Sequence, residues 1–241
     1  MSSTRLAGKM LLPLGGWPLI AWPLRRLAAV GSIVCCTATT AADDPLVELV
    51  ESLGVSVVRG SEHDVLGRFH AALEHFPQQK WLLRATGDNP LVLPELALAA
   101  LDVARAADAD YCSIEGSALG TTVEVIQRRA LATLHLLATL PEEREHCTLG
   151  LLRRPERFRI VQFAVPDTFQ SAARLTVDTA TDLAYCTALI GADTREPERW
   201  TWPELAARIA LVEPPGDITQ HHLAEVQQLK ERAWLATPTP R

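Results

Sequence analysis

The chain has 241 residues, with 23 Lys and Arg against 29 Asp and Glu, a net charge of −6. That length supports one large α/β domain or two small ones with a sizeable core. The acidic balance offers no basic field to gather a phosphate backbone and so excludes nucleic acid as the main partner. Apolar residues at 48% and charged residues at 22% exclude disorder, collagen and coiled coil as the dominant state.

Cys35, Cys36, Cys112, Cys147 and Cys186 are odd in number and form no C-x-x-C pair, so they read as core fillers of a reducing compartment. The histidines show no zinc spacing: His70 and His75 are five apart, and His221 and His222 are adjacent. Arg5 and Lys9 ahead of residues 10–22 imitate a signal peptide, but Pro13, Gly15, Gly16 and Pro18 break the apolar run. No other stretch approaches the ~18 apolar residues of a membrane helix. The expectation is a soluble, cytoplasmic protein with no membrane partner.

Helical and strand periods alternate along most of the chain, the mark of a mostly parallel sheet with helices on both faces. After a loop over 2–16, a helix is expected over 18–29, kinked by the internal Pro23. A strand over 32–37, a helix over 44–53 closed by Gly54, and a strand over 55–58 follow. Next come a helix over 64–76, a strand over 81–84, and the loop Thr86-Gly87-Asp88-Asn89-Pro90. Residues past the carboxyl end of an apolar strand form the ligand crevice of open α/β sheets. A helix over 94–107, strands over 110–114 and 122–127, and helices over 129–140 and 141–152 continue the pattern. The last strands are expected over 158–161 and 174–177, then a helix over 180–190 and a Pro-bearing link at Pro197. Amphipathic helices over 202–211 and 218–234 form a tail. The division expected is 1–195 for the nucleotide-binding domain, 196–236 for a helical tail subdomain and 237–241 disordered.

Three groups of residues carry chemistry. Residues 2–9 combine hydroxyls, Arg5, Gly8 and Lys9, the ingredients of a polyphosphate cradle, though a short basic terminus also serves as a solvated tail. Asp88 and Asp178 each end an apolar strand on the same expected sheet edge, where two hard oxygens could meet over one Mg²⁺ or each cap the helix that follows. Arg144-Glu145-His146 either contacts an acidic sugar or forms a charged helix surface. Asp108-Ala109-Asp110 precedes its strand and reads as a solvated turn at the far edge, and Trp200 with Trp202 as a packing anchor.

Taken together the strings are more specific. Ser3-Thr4-Arg5-Leu6-Ala7-Gly8-Lys9 with Leu12-Pro13-Leu14-Gly15-Gly16 and Pro18-Leu19 resembles the opening of the spore-coat polysaccharide biosynthesis protein F family. Those proteins are cytidylyltransferase-like relatives of the CMP-Kdo and CMP-sialic acid synthetases. The match continues through Asp43-Asp44-Pro45-Leu46, Arg59-Gly60-Ser61-Glu62, the run from Arg84 to Leu91 and Val123-Glu124-Val125. Glu143-Arg144-Glu145-His146 and Arg174-Leu175-Thr176-Val177-Asp178-Thr179 complete it in order.

The resemblance implies a Rossmann-like nucleotide-diphospho-sugar transferase fold in which a sugar or sugar-acid hydroxyl attacks the α-phosphate of CTP and expels pyrophosphate. By that carry-over Arg5 and Lys9 neutralise the triphosphate, Asp88 and Asp178 hold Mg²⁺, and all four are the catalytic set. Ser3, Leu6, Gly8, Arg59, Ser61, Arg84, Thr86 and Gly87 then bind the nucleotide, and Glu124, Arg144 and His146 face the acceptor. The family's loop follows an apolar strand, whereas residue 1 of this sequence already lies inside the loop, so one central strand fewer is expected. Ala7 stands where the family has Pro, His63 and Gly67 replace acids, and Thr122 replaces an Asp. Two other readings remain: a glycosyltransferase of the same fold, which needs a strand-end D-x-D not found here, and a catalytically degraded nucleotide-binding or scaffold paralogue. The apolar faces of the tail helices suggest a homodimer contact.

Overall fold

The computed structural model describes residues 6–216. Gly8, in the left-handed region at φ 66°, turns the chain into a short 3-10 turn over Lys9–Leu11. The hairpin of β1 (Pro13–Leu14) and β2 (Trp17–Pro18) follows, inside the segment expected to be loop. Its two-residue turn holds Gly15 at φ 55° and Gly16 at φ 82°, conformations side chains disfavour. A Cβ on Gly15 would also lie 2.6 Å from Ile190, so the hairpin rests directly on the helix that carries it.

Helix α1 (Ala21–Leu27) starts later than the sequence suggested. Pro23 therefore falls in the first turn, where its missing N–H removes no helical bond, and the expected kink has no cause. Strand β3 (Val34–Ala38), helix α2 (Asp44–Ser52), strand β4 (Ser56–Gly60) and helix α3 (Val65–Ala72) follow, with a 3-10 turn extending α3 to His75. Then come β5 (Trp81–Arg84), α4 (Pro94–Ala106), β6 (Tyr111–Glu115), β7 (Glu124–Gln127) and α5 (Arg128–Leu137).

The single helix expected over 141–152 is two, α6 (Pro141–Glu145) and α7 (Leu149–Leu152). The break turns Cys147 and Thr148 inward, where Cys147 is buried and Thr148 donates to Glu124 at 2.9 Å. Strand β8 (Ile160–Ala164) is followed by an extended segment over 174–177 that joins no sheet as a strand. It makes one bridge, Leu119 to Arg174, because Gly120 then brings its own backbone against Thr176, where a Cβ would sit 2.6 Å away. Helices α8 (Ala180–Ile190) and α9 (Trp202–Ile209) complete the described residues.

The strands lie in three separate sheets: the β1–β2 hairpin, a parallel β3–β4 pair, and a four-stranded sheet in the order β5-β7-β6-β8. In the last, β6 and β8 are parallel while β7 runs antiparallel to β5 and β6. Helices cover both faces, α3 and α5 on one and α1 and α4 on the other, through clusters such as Leu66, Leu131 and Ile126. A further cluster joins Leu14, Trp22, Leu189, Trp200, Trp202 and Leu205, so α9 packs into the same core as the hairpin and α8. Arg26, 1% exposed, stitches α1 to that region by donating to the carbonyls of Val92, Pro197 and Trp200 at 2.6–2.9 Å. Its burial pulls the guanidinium down to about 10. Residues 217–241, with the second tail helix and the disordered end expected there, lie outside the described residues.

Helix α9 starts with a capping box in which Thr201 and Glu204 bond each other's backbone N–H. Glu204 also pairs with Arg195 at 2.8 Å, and these bonds hold its carboxyl down at about 2, against an ordinary 4.5. A depressed carboxylate stabilises the fold above its unfolded value and loses that contribution as pH falls toward its folded value. Glu204→Gln should therefore lower thermal stability at pH 7 and shrink that deficit between pH 4.5 and 2. Melting curves over that range, followed by Trp200 fluorescence, check it.

Candidate active site

Lys9 is the organising residue. It is 7% exposed and donates to Asp88 Oδ2 at 2.8 Å, to Asp178 Oδ1 at 2.9 Å and to the Val177 carbonyl at 2.8 Å. Its position follows from Gly8, whose left-handed backbone aims the 3-10 turn inward. Asp88 comes from the loop after β5, which also closes on Gly87: a Cβ there would stand 2.9 Å from Ile20 and 3.1 Å from Met10. The Asp88 carbonyl accepts from Val177 N at 2.8 Å, fixing the two acid-bearing segments side by side.

Neither acid caps a helix. Leu93 precedes α4 and leaves Asp88 unattached to it, while Thr179 takes the N-cap of α8 and Asp182 closes its capping box. Asp182 also accepts from the backbone N–H of Asp178 at 2.9 Å. Asp178 is thereby left to face Lys9 and Arg174, whose Nη2 donates to its Oδ2 at 2.6 Å. Arg174 is 4% exposed and also lies 3.5 Å from Asp182. Sequence reasoning quoted Arg174 and passed over Asp182. The spacing Thr-x-x-Asp over 179–182 is a legible cap signal that would have freed Asp178 for other work.

The remaining candidates divide. Leu6 is half-buried against the core of the hairpin and α8, and Thr86 and Gly87 sit half-buried in the Asp88 loop. Arg59 is exposed and holds the turn after β3, donating to the carbonyls of Ala38 and Thr40 and pairing with Asp44 at 2.8 Å. Ser61 is exposed, and its carbonyl accepts from Arg68. Arg84 pairs across the sheet with Glu124. Glu124 further accepts from Tyr111 Oη at 2.5 Å and Thr148, so its carboxylate is fully engaged inside the protein. Burial and the facing Glu124 push the Tyr111 hydroxyl well up. Arg144 contacts His135 Nδ1 at 3.0 Å and Asp64 at 3.6 Å, beside the stacked pair His70 and His135, while His146 is exposed at the end of α6. Arg5 and Ser3 lie outside the described residues.

A family model described as cytidylyltransferase matches residues 1–201. The chain belongs to the cytidylyltransferase family. It is 32% identical over 198 residues to the spore coat polysaccharide biosynthesis protein SpsF of Bacillus subtilis, covering 78% of this chain and 82% of that one. Over 110 residues it is 34% identical to the 3-deoxy-manno-octulosonate cytidylyltransferase of Synechococcus elongatus, 44% of either chain. A solved cytidylyltransferase from Leptospira borgpetersenii superposes with a TM-score of 0.77 at 27% identity, covering 88% of this chain and 90% of that one. The expected Rossmann-like fold and the family resemblance hold.

The Lys9 cluster is coupled, since a buried ammonium balances two carboxylates. Lys9→Met should leave those acids facing each other and cost about 3 kcal/mol of stability, as when one member of a buried ion pair is removed. Lys9→Met combined with Asp88→Asn should cost less than the sum of the single changes. Urea denaturation of the four forms completes the cycle and checks the coupling.

Proposed function

We propose that this cytidylyltransferase transfers CMP from CTP to the hydroxyl of a sugar or sugar acid destined for polysaccharide, glycoconjugate or specialised-metabolite assembly. The hydroxyl oxygen forms a bond to the α-phosphorus, the bond from that phosphorus to the bridging oxygen breaks, and pyrophosphate leaves as the hydroxyl proton passes to solvent or base. The observation that carries this reading is the convergence of Lys9, Asp88 and Asp178 beyond the end of β5. A transfer of this kind asks mainly for alignment and charge neutralisation, and a buried cation between paired acids supplies both. The kinship with sugar-acid cytidylyltransferases supports the substrate class.

A divalent ion fits the donor set. Asp88 Oδ2, Asp178 Oδ1 and the Val177 carbonyl are hard oxygens that already converge on one cationic atom. Lys9, Arg174, Asp88, Asp178 and Asp182 together carry two positive and three negative charges, a deficit that must be met before a triphosphate is tolerated. Asp88 and Asp178 would hold Mg²⁺, which when bound neutralises phosphate charge. Lys9 would then turn its ammonium toward the phosphates, with Arg5 and Gly8 beside it and Ser3 and Leu6 lining the same loop. Thr86, Gly87, Arg59, Ser61 and Arg84 would border the nucleotide. Arg144 and His146 would meet the acceptor, with Glu124 holding Arg84 and Thr148 in place.

The five free cysteines suit a reducing, cytoplasmic setting. Among the described residues no helix is long and apolar enough to cross a membrane. Since α9 buries its apolar face inside the chain, a homodimer through the tail would rest on residues 218–234.

Incubation of the protein with CTP, Mg²⁺ and a panel of nonulosonic acids and sugar phosphates should release pyrophosphate with at least one acceptor. Asp88→Asn should lower that rate by about 100-fold or more, the scale of a lost transition-state electrostatic contact, while the circular dichroism spectrum stays unchanged. Tight CTP binding by calorimetry with no release for any acceptor would favour the degraded paralogue instead.

A further inference from the structure

Strand β3 pairs with β4 alone and β5 with β7 alone, so among the described residues each has one backbone edge without a strand beside it. Both edges border one cavity of about 850 Å³. Its other two walls are helical: Phe69 of α3 and Leu131 of α5 on one side, Leu24 of α1 and Leu101 of α4 on the other. The space is a channel with a sheet edge on either side and an apolar helix layer above and below.

The flanking strands carry a matching anomaly. Trp81, Leu82, Leu83 and Arg84 form a run of the kind found in strands covered on both faces, yet all four are only half-buried. Val34, Cys35 and Cys36 of β3 are likewise half-buried. Buried N–H and C=O groups on two facing edges require backbone partners at strand spacing, which neither a nucleotide nor an apolar small molecule supplies. The apolar walls also exclude a triphosphate.

The geometry points to a strand slot: we infer that the channel between β3 and β5 takes one extended apolar strand, supplied by polypeptide running directly into residue 1. The direction comes from the loop over 6–12. Met10 stands against Gly87, just past the end of β5, and Lys9 and Met10 line the same cavity. A segment leading into that loop would run alongside β5 and parallel to it, join the two sheets into one, and anchor the turn that carries Lys9. This inference does not rest on nucleotidyl transfer, since it concerns backbone pairing.

The test compares three forms by hydrogen exchange: the chain as it stands, the chain with six alternating valine and isoleucine residues ahead of Met1, and the chain with six glycine and serine residues there. The apolar extension should slow exchange of amides in Val34–Ala38 and Trp81–Arg84 by about tenfold or more, the mark of closing an open strand edge, and raise Tm. The glycine-serine form should match the unextended chain. A proline placed in the middle of the apolar segment should reverse the gain, because it removes a ladder donor. Should the extended chain aggregate, the same six residues followed by two lysines, added as a free peptide, should give the protection in trans. Equal exchange in all forms, or edges already protected in the unextended chain, would overturn the inference. Protection that appears in the unextended chain only at concentrations where it dimerises would assign the slot to a second copy and equally overturn it.

Discussion

One buried ammonium holds the candidate site together. Lys9 is within 2.9 Å of a carboxylate from the loop after β5, a carboxylate just before α8, and a main-chain carbonyl between them. These groups are 79 and 169 residues away in the chain, and without the cation the two acids would repel at close range in a poorly solvated setting. The Gly8 conformation that aims Lys9, the Gly87 backbone that lets Met10 approach, and the hydrogen bond from Val177 to Asp88 all serve this one convergence.

Around it, the polar groups are apportioned so that the acids stay available. Thr179 and Asp182 satisfy the start of α8, and Arg174 takes one oxygen of Asp178, leaving the other for the cation. Elsewhere the same economy closes groups off. Glu124 accepts from Arg84, Tyr111 and Thr148, making a fixed strut between β5, β6, β7 and the break between α6 and α7. A carboxylate engaged three times over positions its neighbours better than it greets a ligand.

The divided sheet changes how the core is understood. The apolar residues of β3 and β4 pack with α1 and α2, and those of the four-stranded sheet pack on their own two faces, with α3 spanning both. Helices thus bridge a gap that strands do not, so the edge strands have mates on one side and an apolar channel on the other. The chain end that opens this channel is also the one that carries Lys9.

Sequence by itself determined the element order, the strand and helix types of most segments, the strand at Trp81–Arg84 and the helix at Ala180–Ile190, because each has a clear hydrophobic period bounded by Gly, Pro or a capping residue. It also determined the family, through short strings kept in order, and with it the trio of Lys9, Asp88 and Asp178. What only the tertiary structure decided were matters of pairing. The segment over 174–177 has a strand's composition but makes one bridge, since Gly120 sits against it. The helix over 141–152 breaks because Cys147 and Thr148 find partners across the sheet. Pro23 does no harm because the helix starts beside it. Whether a carboxylate caps a helix, braces an arginine or faces a cation depends on which groups arrive from distant parts of the chain, and local periodicity carries no record of that.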